Sequence, residues 1–190
     1  ERYSNMVFYH KKKIFIPLTI HIEIKKVYKS FQNKILMSKK INNLYHTLIN
    51  DFKITKPKMI LAGINPHAGE NKTISKDDNK YLLPIINLLK KRGLFIDGPV
   101  SGDGMINNQN LNYYDAFIFT YHDQALIPFK ILSNYQGVNF TSNLDIIRVS
   151  PSHGTAENLI GSKKVISNGI INCFNLIKKI NRNRNKIDSS

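Results

Sequence analysis

The 190-residue sequence predicts a layered α/β/α domain built on a largely parallel sheet. Short, continuously apolar runs such as KMILAGI (58–64) and DAFIFTY (115–121) read as strands covered on both faces. They alternate with segments whose apolar residues recur at three- and four-residue steps, the helical period. A third observation places the chemistry. The polar clusters NPHAGE (65–70) and YHDQ (121–124) follow such runs directly, where ligands gather outside the carboxyl ends of parallel strands.

Residues 6–20, MVFYHKKKIFIPLTI, read as one or two strands broken by a lysine turn, with Pro17 limiting the second. From Asn33 to Phe52, the residues Met37, Ile41, Leu44, Leu48 and Phe52 make an amphipathic helical stripe. After the strand at 58–64 and its connector, Ser75 is placed to cap a helix with Asp77 and Asp78 in the first turn. Tyr81, Leu82, Ile85, Leu88 and Leu89 supply its inner stripe, and Gly93 ends it. A short strand is expected at 94–96, then turn-rich DGPVSGDG (97–104), the strand in DAFIFTY, and the segment HDQALIPFKIL. Two further strands are expected at GVNF (137–140) and DIIRV (145–149). A closing helix from Val165 to about Ile180 should carry Ile166, Ile170, Cys173, Phe174 and Ile177 on one side. One domain then spans 1–181, and the polar tail 182–190 is expected to fray.

Hydrophobic residues make up 42% of the chain and charged residues 22%, ordinary globular values. No stretch approaches the roughly 18 uninterrupted apolar residues of a membrane span, so no membrane partner is expected. A net charge of +15 raises nucleic acid as a partner. Only five of the 28 basic residues are Arg, however, and the 28 Ile and 23 Asn beside them point to an A/T-rich coding sequence. The lysines are dispersed, so a solvated basic surface is expected and a specific nucleic-acid partner is not. The single Cys173 supports neither a disulfide framework nor a thiolate metal site. No signal peptide is visible in the opening residues, and a cytoplasmic location is expected. Without an initiator Met, the sequence reads as the later part of a longer protein.

Of six histidines, His46 falls in the amphipathic helix and His10 beside three lysines, and both read as surface or edge residues. His21, His67 and His122 each follow an apolar strand-like run, a placement that would bring them to one rim of the sheet. Three neutral imidazoles suit a divalent ion with coordination positions left open for a substrate. Asp123 would orient a ligand imidazole or accept a proton; its other reading is the cap of a helix beginning at Gln124. Lys130, Asn139 and Arg148 follow at nine-residue steps. Arg148, flanked by apolar strand residues, calls for an anion, which is either an internal Asp145 or Glu157 or a substrate phosphate or carboxylate. SHGTAENLIGS (152–162) puts His153, Gly154 and Thr155 before a short helix, a setting for anions or nucleotides. No GxGxxG or Walker sequence occurs.

PLTIHIEIKKV, LAGINPHAGE, DGPVSGD, YHDQALIPFK and GVNFTSNLDIIRVSPSHGTAENLIG together resemble the successive motifs of the 4-hydroxythreonine-4-phosphate dehydrogenase family, from about residue 6 to 181. The resemblance implies a fold similar to isocitrate and isopropylmalate dehydrogenases and a homodimer whose site is shared across the interface. It implies metal ligation (Zn, Mg or Co) by His21, His67 and His122, and contacts of Lys130, Asn139 and Arg148 with a small phosphorylated hydroxy-acid substrate. Asp123 and Lys130 are the expected catalytic groups. Gly154, Thr155 and Ala156 are expected near the adenosine of NAD or NADP. The implied reaction is oxidation of 4-phosphooxy-L-threonine and decarboxylation to 3-amino-2-oxopropyl phosphate, in vitamin B6 biosynthesis. Two alternatives stand beside it: a threonate or erythronate 4-phosphate substrate, and a truncated, catalytically silent dimerisation module. The family's usual SADT reads SGDG here (101–104), which keeps Asp103.

Overall fold

The computed structural model describes residues 3–152 and 168–185. Its strands are β1 (Met6–His10), β2 (Lys13–Thr19), β3 (Lys58–Ala62), β4 (Phe95–Val100), β5 (Ala116–Tyr121), β6 (Val138–Thr141) and β7 (Arg148–Pro151). The helices are α1 (Val27–Ser30), α2 (Lys34–Asn50), α3 (Leu83–Lys91), α4 (Asn108–Tyr113), α5 (His122–Ser133) and α6 (Asn168–Asn185).

All seven strands form one sheet in the order β4-β3-β5-β2-β1-β6-β7. The first four are mutually parallel, whereas β1, β6 and β7 continue by antiparallel pairing. The change of direction begins at the lysine turn. Lys11 and Lys12 both have positive φ (44° and 67°) and join β1 to β2, and a loop of two residues can only connect antiparallel neighbours.

Strand alternation divides the core between two faces. Ile14, Ile16, Leu18, Met59, Leu61 and Ile118 face the layer of α2, α3 and α6. Phe15, Ile60, Phe117 and Phe119 face α5, where Phe15 packs with its ring centroid 5.2 Å from Phe117, 5.6 Å from Phe119 and 5.5 Å from Phe129. Cover on both faces is why these strands read as unbroken apolar runs. At about 1.5–3 kcal/mol per fully buried large apolar side chain, this double burial is the main force holding the parallel strands in register.

The α2 stripe is buried as its spacing predicts, and Asn33 caps that helix by accepting from Leu36 N–H at 3.0 Å. Four expectations are corrected. β4 does not stop at residue 96: it continues through Asp97–Val100, because an outer strand tolerates Gly98 and Pro99. The last strand is Arg148–Pro151 rather than 145–149, and Ile146 is exposed. The helix at YHDQ starts at His122, not Gln124. The buried stripe of α6 is Gly169, Cys173, Leu176 and Ile180, leaving Ile170 and Phe174 outside; the helix is turned so that its small residues face the sheet. α6 continues to Asn185, where Arg184 grips the buried Asp51 carboxylate through Nε at 2.8 Å and Nη2 at 3.0 Å.

Candidate active site

β3, β5 and β2 lie side by side and point the same way, so the residues that follow them emerge at one rim. β5 passes into α5 without a connector: Tyr121 is extended and His122 is the first helical residue. Gln124, one turn in, locks the joint. Its Oε1 accepts from Thr120 N–H and Thr120 Oγ1, both at 2.9 Å, and its Nε2 donates to Gly63 O at 2.9 Å, tying β5 to β3. Thr19 Oγ1 donates to Thr120 O at 2.7 Å and ties in β2. His122 Nδ1 lies 2.7 Å from Asp123 Oδ1, a contact in which Nδ1–H donates and the ring presents Nε2 outward. His21 follows β2 at φ 50°, its ring centroid 5.4 Å from that of His122.

His67 arrives differently. After Pro66, the residues from His67 to Lys72 all have positive φ, a left-handed turn that holds His67 exposed at the rim. Gly69, buried in this turn at φ 80°, has no room for a side chain: a Cβ would sit 2.4 Å from Ser75 O. Ser101 Oγ lies 3.4 Å from His67 Nδ1 and gives its proton to Asp103. With that proton committed, Ser101 offers His67 a lone pair, which selects the Nδ1–H tautomer and leaves Nε2 as the free donor atom. The Asp103 carboxyl is held below its ordinary range, chiefly by the Ser101 hydroxyl and then by the Gly104 N–H.

Two clefts open on this rim. One of about 520 Å³ is lined by Asn65, His67, Asp103, Tyr121, Asp123 and Gln124 among others. Its neighbour, about 260 Å³, is lined by Thr19, His21, Tyr121, His122 and Asp123 among others, so Tyr121 and Asp123 form the wall between them. The structure therefore brings His21 and His122 together and sets His67 across that wall. Among the described residues of a single chain, no three His, Cys, Asp or Glu side chains cluster closely enough to hold a metal ion. A further cavity of about 250 Å³, lined by Tyr9, His10, Lys11 and Lys179 among others, lies at the opposite end of the sheet.

Lys130, Asn139 and Arg148 share the α5 face of the sheet but stand apart from the histidines. Lys130 is eight residues along α5 from His122, about 12 Å at the helical rise. Asn139 pairs with Phe8 and Ser150, and Arg148 with Thr141, on the antiparallel flank. Asn139 Oδ1 is buried without a hydrogen bond among the described residues. Arg148 is exposed and donates to Thr141 Oγ1 at 2.9 Å, so the strand leaves its guanidinium facing solvent. Gly154, Thr155 and Ala156, with Glu157, lie outside the described residues.

Residues 1–177 match the family model described as pyridoxal phosphate biosynthetic protein PdxA. The chain belongs to this family. The 4-hydroxythreonine-4-phosphate dehydrogenase of Zymomonas mobilis is 39% identical over 149 residues, which are 78% of this chain and 44% of that relative. The Roseobacter denitrificans enzyme of the same name is 36% identical over 165 residues, 87% of this chain and 48% of its own length. A solved 4-hydroxythreonine-4-phosphate dehydrogenase from Klebsiella pneumoniae superposes with TM-score 0.80 at 30% identity, covering 93% of this chain and 53% of that one. The chain thus spans about half the length of the PdxA-family relatives it matches.

Several residues of this PdxA-family rim escaped sequence reading. Ser101 carries no motif signal of its own beyond its place two residues before Asp103. Gln124 was legible only as part of YHDQ. Asp78 reads only as a first-turn acid of the helix that Ser75 caps, yet it is fully buried. Ser75 Oγ does accept from Asp77 N–H at 3.1 Å, as a cap should. The turn after it is widened into a π-helical one over Asp78–Leu82, and that rotation carries the Asp78 carboxylate inward.

Proposed function

We propose that this chain is the rim-bearing portion of a metal-dependent, NAD- or NADP-linked 4-hydroxythreonine-4-phosphate dehydrogenase that acts in vitamin B6 biosynthesis. The observation that carries the reading is the delivery of His21, His67 and His122 by three adjacent parallel strands to one rim, two of their rings 5.4 Å apart. Three imidazoles without a thiolate, two of them with Nδ1 engaged by Asp123 or Ser101, are a donor set for Zn or Co; Mg, which takes oxygen ligands, fits them poorly. A bound divalent ion would lower the pKa of the substrate alcohol.

The chain's own residues do the rest. Asp123 keeps the His122 ring oriented and stands in both clefts, placed to accept a proton from the alcohol. A bound NAD or NADP would supply the hydride acceptor for the carbinol carbon, and the 3-keto acid so formed would release carbon dioxide to leave 3-amino-2-oxopropyl phosphate. Lys130, Asn139 and Arg148 offer two cations and an amide oxygen that has no hydrogen bond among the described residues, on one face suited to the substrate's phosphate and amino groups. Because that face stands apart from the histidines, the complete site is assembled from two copies of the chain. The outer side of α5 supports this: Ile127 and Ile131 stand one turn apart at 63% and 76% exposure, with Tyr135 exposed just beyond the helix end, an apolar patch for a second protomer.

The test follows reduced nicotinamide absorbance with 4-phosphooxy-L-threonine as substrate, with and without added zinc. Metal-dependent turnover that exceeds turnover of threonate or erythronate 4-phosphate is expected. Equal rates would remove the vitamin B6 assignment in favour of the hydroxy-acid relatives. A second reading, a silent dimerisation module, is favoured by the wall of Tyr121 and Asp123 that parts His67 from His21 and His122; a dimer that binds no metal and turns over neither substrate would establish it.

A further inference from the structure

Six consecutive residues with positive φ, five of them not glycine, form the turn that presents His67. L-residues visit this conformation singly, because Cβ crowds the following carbonyl at about 1–2 kcal/mol per residue. A run of them persists only where its surroundings over-determine it. Backbone bonds to Gly69 O from Ile74 N–H at 3.2 Å and Ser75 N–H at 3.4 Å close the turn, and one buried side chain packs behind it. Asp78 is 0% exposed, and no cation pairs with it among the described residues. A carboxylate buried in this way is unfavourable unless hydrogen bonds replace its water. Its replacements come from the residues that lead into the turn: Oδ1 accepts from Ile64 N–H at 2.7 Å and Oδ2 from Asn65 Nδ2 at 2.8 Å. The glycines on both sides close around it. A Cβ on Gly63 would lie 2.8 Å from Asp78 Oδ1, and one on Gly69 would lie 3.4 Å from Oδ2.

We propose that Asp78 is a positioning residue, a buried carboxylate that latches the left-handed turn and thereby aims the His67 ring into the larger cleft. The inference rests on the reading of His67 as a metal ligand. Asp78 touches no reacting group; it acts through the backbone at Ile64 and the side chain of Asn65. The contact spans 14 and 13 residues, so the latch also fixes where the widened first turn before α3 sits against β3.

The test exchanges donor and acceptor. Asp78→Asn sets the new amide against the Asn65 amide, donor to donor. Asn65→Asp sets carboxylate against carboxylate. The double swap restores both bonds, since the amide oxygen at position 78 accepts from Ile64 N–H while the amide nitrogen there donates to the carboxylate at position 65. Two readouts are taken on the full chain: backbone three-bond couplings from the preceding carbonyl carbon to Hα over residues 67–72, which are large only where positive φ sets the two nuclei anti, and zinc affinity by calorimetry. Each single variant is expected to lose the positive-φ couplings and about 10- to 100-fold in zinc affinity, and the swap to recover both. Should Asp78→Asn fail to fold, Asn65→Asp carries the same comparison. Couplings and affinity unchanged in the single variants, or a swap that recovers neither, would overturn the latch. Couplings that follow the swap while zinc binding is absent, or indifferent to His67→Ala, would leave the latch standing and bring down the metal reading instead.

Discussion

His122 and His67 leave neighbouring parallel strands by opposite routes. β5 enters α5 with no intervening residue, and the side chains that set His122 are its near neighbours, the Asp123 carboxylate beside it and Gln124 folded back on Thr120, with ties to Gly63 and Thr19 securing the joint to the adjacent strands. β3 instead passes into a left-handed turn whose shape depends on Asp78, far along the chain, and on space that only Gly63 and Gly69 allow. The difference teaches that one rim is built with one rigid mount and one tensioned mount. The first draws on local hydrogen bonds, the second on a buried charge and tight packing.

The largest effect expected from breaking this contrast is at Gly69. Gly69→Ala adds a left-handed penalty and places Cβ against the Ser75 backbone, and a loss of about 2–4 kcal/mol is expected in urea unfolding. The equivalent blow to the rigid mount is Gln124→Ala, which strips partners from the fully buried Thr120 and from Gly63 O. About 2 kcal/mol should be lost there, with the positive-φ couplings of the His67 turn largely kept. Asp123→Asn is smaller: about a tenfold loss of zinc affinity by calorimetry and little change in melting temperature, because the carboxylate is exposed and orients only His122. The smallest effect is a control at the far end of the same strands. The Tyr114 phenol is pushed up to about 12, first by burial and then by its bond to Asp97. Its folded value is raised, so its contribution is present below the ordinary tyrosine value of 10.0 and is lost as pH rises towards about 12. Tyr114→Phe should flatten alkaline denaturation in that window and leave metal affinity unchanged.

The same contrast explains what the residues revealed unaided. Strand and helix periods gave the layers, because Ile118 and its neighbours are buried on both faces and Leu44 and Leu48 on one. The rim was legible because three histidines close three apolar runs, and adjacency of β3, β5 and β2 follows from parallel topology. The antiparallel flank was not, since pairing direction is decided by the two-lysine hairpin and by contacts between β1 and β6, more than 100 residues apart. Asp78 and Ser101 were not legible either. Each acquires its role from a partner brought near only by folding, and a single acid or hydroxyl has no periodicity to betray it.

Zinc titration of the full chain beside His21→Ala, His67→Ala and His122→Ala, with His46→Ala as the exposed reference, tests the central claim most directly. The account predicts saturable binding that each rim substitution weakens by at least about 100-fold, beyond what an outer partner commands, while His46→Ala leaves it unchanged. Binding that ignores all three rim histidines, or no binding at all, would contradict it.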